Sequence, residues 1–409
     1  MDIIIARCAG LDVHKKTVMA CIRLQGPTGA MTQEIRTFGT MTRDLERLRT
    51  WLQTCGVTHV AMEATGVLWK PVWHVLEPEF ELLLVNPRDL KRVPGRKTDV
   101  KDATWIAQLL QCGLLRGSFV PPREIRELRD LTRARATLEQ QTVDVANRIH
   151  KLLEDANIKL SSVATDILGT SGRAMLQALA HGETDPIRLA DLAQRRLRAK
   201  IPALQEALHG TMTAHHRFLL KQLLTQLAFL EGQIAEFDAR VAEGTVPFGE
   251  AIAHLDTIPG FDRRGAENLV AEIGVDMTPF PTAPHLASWA AICPGQHVSA
   301  GRSHGATIRK GNRWLRRTLG QAAWSARNKK HSYPAAQFRR LAARRGKKRA
   351  IVAVGHSLLV AAFYILRDGL DYADLGATHF DRLRPDQLTR MLVKRLERLG
   401  HKVTLEAAA

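Results

Sequence analysis

Ala9-Gly10-Leu11-Asp12-Val13-His14-Lys15 decides the reading of this chain. A short apolar run of strand length ends in an acid and then turns basic. Such a run fits a buried strand that delivers a carboxylate at its end. A β-rich run at 17–24 follows, then a third near 34–38. Leu45, Leu48, Trp51 and Leu52 recur at helical spacing after a plausible cap at Thr42. The apolar run Val60-Ala61-Met62-Glu63-Ala64-Thr65-Gly66 repeats the pattern, with Glu63 at the end of a strand over 58–63. A helix over 67–76, a strand over 81–85 ending at Asn86-Pro87, and a helix over 99–115 complete the unit. The order is β-β-β-α-β-α-β-α, which suits a mixed sheet flanked by helices, as in ribonuclease-H-like nucleases.

Outward from this unit, Pro121-Pro122 breaks the chain. Charged helical sequence runs over 124–159 and again over 214–241, with apolar residues at near-heptad spacing. Two such helices suggest an antiparallel coiled-coil arm or a dimerisation element. Residues 161–212 between them read as additional helices. A further boundary falls at Thr245-Val246-Pro247, and a basic, mostly helical region spans 250–368. The expected domains are therefore 1–118, 119–245 with an insertion at 161–212, 246–370, and a helical tail over 371–409.

Composition narrows the partners. The 409 residues carry 59 Lys and Arg against 41 Asp and Glu, a formal charge of +18. A field of that sign concentrates polyanions, nucleic acid first and anionic membrane second. The longest apolar run, 351–366, is interrupted by Gly355, His356 and Ser357 and falls short of the ~20 residues that span a bilayer, so a buried core helix is expected there. The first residues lack a basic segment ahead of their apolar stretch, and no secretory signal is read. Five scattered cysteines without a CxxC pair argue against a disulfide framework or zinc ribbon and fit a reducing cytosol.

The chemistry-bearing candidates are acids. Asp12 and Glu63 end strands, and Asp99 and Asp102 lie three apart at a helix start, on one face. A lone strand-end Asp is usually a turn residue, and acids at a helix start are favoured by the dipole. Glu63, among apolar neighbours, is harder to explain structurally. Gathered together, the four need cations to offset their repulsion. Hard oxygen ligands suit Mg²⁺ or Mn²⁺, and paired ions can clamp the attacking and leaving oxygens of a phosphodiester.

The second half is basic. From Arg302 to Ala350 there are sixteen Lys or Arg and no Asp or Glu. Nucleic-acid contacts are expected from Arg302, Arg309, Lys310, Arg313, Arg316 and Arg317, and in the first unit from Arg96 and Lys97. Trp314 and Trp324 read as core anchors before base-stacking platforms. Ile258-Pro259-Gly260-Phe261 before a helix over 264–273 resembles a helix-hairpin-helix, whose turn at Gly260 would offer backbone N–H groups to a phosphate. Ser299 and Ser303 sit in a small-residue loop, flanked by His297 and His304. Spacing alone makes neither serine a nucleophile.

Six motifs together resemble the DEDD transposases of the IS-one-ten insertion-sequence family. They are Gly10-Leu11-Asp12-Val13-His14-Lys15, Met62-Glu63-Ala64-Thr65-Gly66, Lys97-Thr98-Asp99 with Asp102-Ala103, Ile258-Pro259-Gly260, the loop from Pro294 to Arg302, and Arg309-Lys310-Gly311-Asn312-Arg313-Trp314-Leu315-Arg316. The resemblance covers roughly 8–118 and 250–368, in order. It implies a RuvC-like nuclease domain, a catalytic serine at Ser299, an element-encoded bridge RNA pairing with donor and target DNA, and assembly as a dimer of dimers. The implied setting is the bacterial cytoplasm, with no membrane partner. Recombination would proceed through a phosphoserine and need no external energy source, and the chain shows no GxxxxGK[ST] loop. Two other readings compete. A structure-specific nuclease or resolvase would use the four acids and water and leave no protein–DNA bond. A nonenzymatic nucleic-acid-binding or architectural protein would leave Glu63 and the Asp99/Asp102 pair without purpose.

Overall fold

The computed structural model describes residues 3–26, 29–87, 90, 102–293, 298–299, 302–303, 308–309, 311–383 and 385–406. The chain divides into two compact units, Met1–Val120 and Pro121–Ala409.

The first unit is built on a five-stranded sheet in the order β3-β2-β1-β4-β5. Its strands are β1 (Arg7–Val13), β2 (Thr17–Gln25), β3 (Met31–Gly39), β4 (His59–Glu63) and β5 (Glu81–Val85). The first three form an antiparallel meander, and β1, β4 and β5 run parallel. Helices α1 (Thr42–Thr54), α2 (Trp69–Leu76) and α3 (Asp102–Gln111) complete the expected element order. The parallel strands are short apolar runs because helices cover both of their faces. Leu11, Val13, Val60 and Met62 pack in one cluster with Leu45, Leu48 and Leu52 of α1 and Val72 and Leu76 of α2. Burying each such side chain contributes about 1.5–3 kcal/mol. Cys8, Ala61 and Val85 face the other way, against Trp105, Ile106 and Leu109 of α3.

The sequence expectation misses in one detail at α1. Thr42 is its first helical residue, and the cap position falls on Met41, which makes no side-chain cap bond.

The second unit is helical. Helices α4 (Arg123–Asp155) and α9 (Ala214–Gly244) pair lengthwise. His216 at the start of α9 meets Asp155 at the end of α4 at 2.9 Å, and Gly244 lies by Leu128, so the two run antiparallel. Between them α5 (Leu160–Val163), α6 (Thr170–Ala180), α7 (Pro186–Asp191) and α8 (Ile201–Leu208) close over the distal half of the pair. Leu160, Met175, Leu176 and Leu204 share one core there with Val145, Ile149, Leu220 and Leu227. Residues 161–212 are thus the lid of a hydrophobic core.

The remaining helices are α10 (Gly249–Asp256), α11 (Arg263–Ile273), α12 (Ala283–Trp289), α13 (Arg313–Ala326), α14 (Tyr333–Arg345), α15 (Lys347–Asp368), α16 (His379–Leu383) and α17 (Pro385–Arg398). α15 is the only described helix long and apolar enough to cross a membrane. Ile351, Val354, Leu358, Leu359, Ala362 and Phe363 are nevertheless buried, and α10, α12, α13 and α14 pack around them, as expected for a core helix.

Candidate active site

Strand pairing and one glycine set Asp12, Glu63 and Asp102 toward one end of the sheet. β1 and β4 pair in parallel from Cys8 with His59 to Leu11 with Met62. The residues that follow this last pair are Asp12 and Glu63. Side chains alternate across a strand, so Asp12 shares the sheet face of Cys8 and Gly10, and Glu63 that of Ala61. This is the face covered by α3. Gly10 lets the helix come close: a Cβ there would stand 2.3 Å from both the Ala103 carbonyl oxygen and the Ala107 amide nitrogen. The first turn of α3, which opens with Asp102, is thereby pressed onto the strand that ends in Asp12.

Asp12, Glu63 and Asp102 therefore lie toward the same end of one face. None of the three is buried. The Asp12 side chain keeps 16% of its exposure and accepts from His14 Nε2 at 3.1 Å. Beneath them the face is apolar, and burial pushes the Cys8 thiol up to about 12. Among the described residues no group of three or more His, Cys, Asp or Glu is placed to hold a metal ion. Asp99, Arg96 and Lys97 lie outside the described residues. The donors fit a hard divalent cation in type, all being carboxylates.

Ser299 lies in a two-stranded hairpin, β6 (Val298–Ser299) and β7 (Arg302–Ser303), in which Ser299 pairs with Arg302 and Val298 with Ser303. The register puts the two serines on opposite strands. His297, His304 and Lys310 are outside the described residues. The other expected cationic contacts fall into two groups. Arg309 and Arg313 are exposed. Arg309 donates to the Ser288 carbonyl at 3.1 Å and its hydroxyl at 2.8 Å, while Arg313 lies over the Trp314 ring. Arg317 is committed inside the fold. It donates to the Ala136 carbonyl at 3.0 Å and stands 3.6 Å from Glu139. Arg316 reaches the Arg309 carbonyl at 3.5 Å.

Trp324 departs from the core reading. It is 42% exposed, packed beside Phe338 and covered by the Arg327 guanidinium at 4.0 Å. Its position on α13 points one flank outward, and the arginine shields the ring from water in place of a core.

Gly260 has a packing reason of its own. It adopts φ +100°, and a Cβ there would stand 2.2 Å from the Ala322 carbonyl oxygen of α13. The turn between α10 and α11 is thus seated on another helix. At the α11 start, the Asp262 carboxylate accepts from the Gly265 amide at 2.7 Å, occupying a donor that a phosphate would use.

Sequence reasoning missed the buried charge of this unit. Arg135, 2% exposed and set in the expected apolar seam of α4, donates to Asp238 at 2.9 Å, to Asn268 at 2.9 Å and to Glu267 at 3.3 Å. Glu272, also 2% exposed, accepts both arms of Arg133, at 2.7 and 2.8 Å, and the side-chain amide of Asn312. The available signal was two glutamates, Glu267 and Glu272, among the apolar positions 266, 269, 270 and 273 of one helix.

Comparisons with known proteins match both units. Residues 9–158 match a transposase family model of the DEDD type of IS110. Residues 252–339 match the transposase model of the IS116/IS110/IS902 family. A Streptomyces coelicolor protein described as "Insertion element IS110 uncharacterized 43.6 kDa protein" is 26% identical over 302 residues, covering 68% of this chain and 73% of the relative.

Proposed function

This chain belongs to the IS110 family of transposases, and on that premise we propose that it cuts and rejoins the DNA of an insertion sequence through a serine-linked intermediate. The observation that carries the reading is the juxtaposition of Asp12 and Glu63 at the ends of paired parallel strands, with the start of α3 and its Asp102 on the same face. In this reading Asp12, Glu63, Asp99 and Asp102 hold Mg²⁺ or Mn²⁺. A divalent ion bound there supplies charge stabilisation to the scissile phosphate and eases deprotonation of a hydroxyl nucleophile.

The chain's own groups do the rest. Ser299 Oγ attacks the phosphorus of the scissile diester and gives up its proton. The bond from phosphorus to one DNA oxygen breaks, that oxygen leaves as a hydroxyl, and a phosphoserine ester remains. Attack by a second strand's hydroxyl reverses the exchange, so one diester is traded for another without an energy source. Arg302, Arg309, Lys310, Arg313 and Arg316 neutralise backbone phosphates. Arg96 and Lys97 serve the same purpose beside the acids, and the amides at the Gly260 turn offer a lesser contact. Each neutralised phosphate releases counterions, so binding weakens steeply with salt.

The partners in this reading are donor and target duplex DNA, a structured guide RNA encoded by the element, and further copies of the chain in a dimer of dimers. The α4–α9 pair is the candidate coiled-coil joint between protomers. The bacterial cytoplasm is the place of action.

The test is a denaturing gel. Nicked or suicide substrates are incubated with the full chain and Mg²⁺. A covalent protein–DNA band is expected, and Ser299→Ala abolishes it. A band that persists in Ser299→Ala transfers the role to Ser303. Cut strands without any band mean that water is the nucleophile. Sequencing the nucleic acid that co-purifies with the protein tests the guide. One discrete structured RNA is expected, and random fragments would contradict it.

A further inference from the structure

The chain that follows α15 is pinned beside α14. Tyr372 donates its amide to Thr257 Oγ1 at 2.8 Å, and Asp371 holds His254 at 2.7 Å. Asp374 then accepts from the amide of Tyr333, the first residue of α14, at 2.8 Å, and from the Gly376 amide at 2.7 Å. Phe380 of α16 stacks on the Tyr333 ring, with centroids 5.1 Å apart and planes 23° from parallel. The Arg340 guanidinium lies over Phe380 at 5.3 Å. Tyr333 and Arg340 stand two helical turns apart, so the tail is laid along one face of α14.

This arrangement leaves a cleft of about 600 Å³ between α14 and the tail helices, within the usual size of a ligand site. Arg339, Arg340 and Arg344 line one wall, and Phe380 of α16 with Leu388 and Met391 of α17 line the other. Ala336, Arg340 and Arg344 recur at four-residue spacing, so a small apolar residue and two guanidinium groups share one stripe of α14. All three arginines are exposed. Asp381 also lines the cleft, but among the described residues neither it nor any of the three arginines forms an ion pair. Arg135 shows the contrast, since Asp238 and Glu267 meet its charge inside the fold. The positive line runs on past the cleft through exposed Arg345, Lys347, Lys348 and Arg349.

We propose that this cleft binds an unpaired stretch of nucleic acid, its phosphates on the arginines and a base against Ala336, Leu388 and Met391. The proposal rests on the chain acting on nucleic acid, as its family does, and not on Ser299 or on the sheet-end acids. A duplex keeps its bases stacked inside and would offer the cleft phosphates alone. A single strand offers both a charged backbone and an apolar base, and so matches both walls. The continuing line of cations suits an anion that repeats along a chain. A guide RNA and a DNA strand freed during exchange share this chemistry, and the assay separates them.

Binding of the full chain, freed of co-purified nucleic acid and without Mg²⁺, is read by fluorescence anisotropy over a salt series. The probes are unstructured RNA and DNA oligonucleotides and a DNA duplex. Each cation on a single-strand phosphate adds about 0.7 to the slope of log affinity against log salt. Arg339→Gln, Arg340→Gln and Arg344→Gln combined are expected to lower that slope by about 2 for the single strands and to leave duplex binding unchanged. Met391→Glu, at a site 54% exposed, places an acid on the apolar wall without touching an arginine. It should weaken single-strand binding roughly tenfold and spare the duplex. A larger loss for RNA names the guide as occupant, a larger loss for DNA names an exchanged strand, and comparable losses name both; each upholds the cleft. Unchanged single-strand binding in either variant overturns it. Equal losses for single strand and duplex also overturn it, reducing the arginines to a general positive field. Poly-glutamate that displaces the single strand from the wild type but not from the triple variant assigns the cleft to an acidic protein instead. Should the triple variant fail to fold, Arg344→Gln carries the test: a slope lower by about 0.7 upholds the proposal and an unchanged slope overturns it. No step of this assay uses cleavage, so its failure leaves the serine-linked reading standing, and a missing covalent band leaves the cleft standing.

Discussion

Asp12, Glu63 and Asp102 lie toward one end of the sheet, none of them buried, and the described neighbour of Asp12 is a histidine that carries charge only when protonated. In the helical unit Glu267 and Glu272 lie deep and are clasped by the guanidinium groups of Arg133, Arg135 and Arg263. The two regions use the same functional group in opposite ways. A carboxylate gripped by arginine at burial has its charge met within the fold and serves architecture. Asp12, set near a strand end and in reach of solvent, accepts from His14 at 3.1 Å and is met by no guanidinium among the described contacts. Position in the fold and the nature of the neighbour separate the two, not residue type.

The comparison breaks most visibly at the sheet end. Glu63→Gln and Asp12→Asn are expected to lower strand cleavage by roughly 10²–10³-fold, the scale of losing one preorganised electrostatic group at a transition state. Melting temperature should barely change. Single-turnover cleavage beside thermal unfolding checks this. A variant that loses stability and keeps cleavage would put these acids in the architectural class.

Glu272→Ala should do the reverse. Removing the acid leaves Arg133 and Arg129 facing each other and frees the Asn312 amide, a loss of about 3–5 kcal/mol for a broken buried pair. Urea unfolding measures it, and a change under about 1 kcal/mol would mean that the cluster is no stronger than a surface ion pair.

Gly10→Ala sharpens the contrast within the first unit. Its methyl would meet backbone atoms of α3, which cannot yield as a flexible side chain does. A cost of about 1–3 kcal/mol is expected. Cleavage should fall with it, because the helix that carries Asp102 must shift. Full activity in a well-folded Gly10→Ala would show that the close approach is not what sets the acids.

The smallest effect concerns a surface link. His254 donates to Asp371 at 2.7 Å, and that bond raises the imidazole above its ordinary value. The folded state therefore holds this proton more tightly than the unfolded chain. The contribution is fully present below the ordinary histidine range and is lost as pH rises through the raised folded value. Melting temperature followed from acid to neutral pH should show a slight decline that His254→Gln removes. An unchanged profile in the variant would discount the link.

Much of the sheet unit was legible. Apolar runs of strand length, each closed by a polar or turn residue, gave the element order, because period and length are local properties. Asp12 and Glu63 were legible as strand-end acids for the same reason. Their pairing was not, since it depends on β1 and β4 lying side by side, a property of topology. The cap at α1 was misplaced by one residue because Thr42 has the chemistry of a cap but enters the helix itself. In the helical unit the two long helices were legible from spacing, but Arg135 in their seam was not. A buried arginine is made tolerable only by Asp238, Glu267 and Asn268, which lie more than a hundred residues away. Gly260 shows the same limit: sequence gave a glycine turn, whereas its tight seat against Ala322 needs α13 in place. Trp324 was assigned to the core on hydrophobicity, although the arginine one helical turn away keeps it at the surface.

Anomalous scattering from crystals of the full chain grown with Mn²⁺ addresses the sheet-end acids without relying on any activity. Manganese peaks should lie within direct coordination distance, about 2.0–2.3 Å, of Asp12 and Glu63 oxygens and be absent in Glu63→Gln. Peaks bound elsewhere, or none at saturating Mn²⁺, would contradict the account of these acids as a metal-holding catalytic centre.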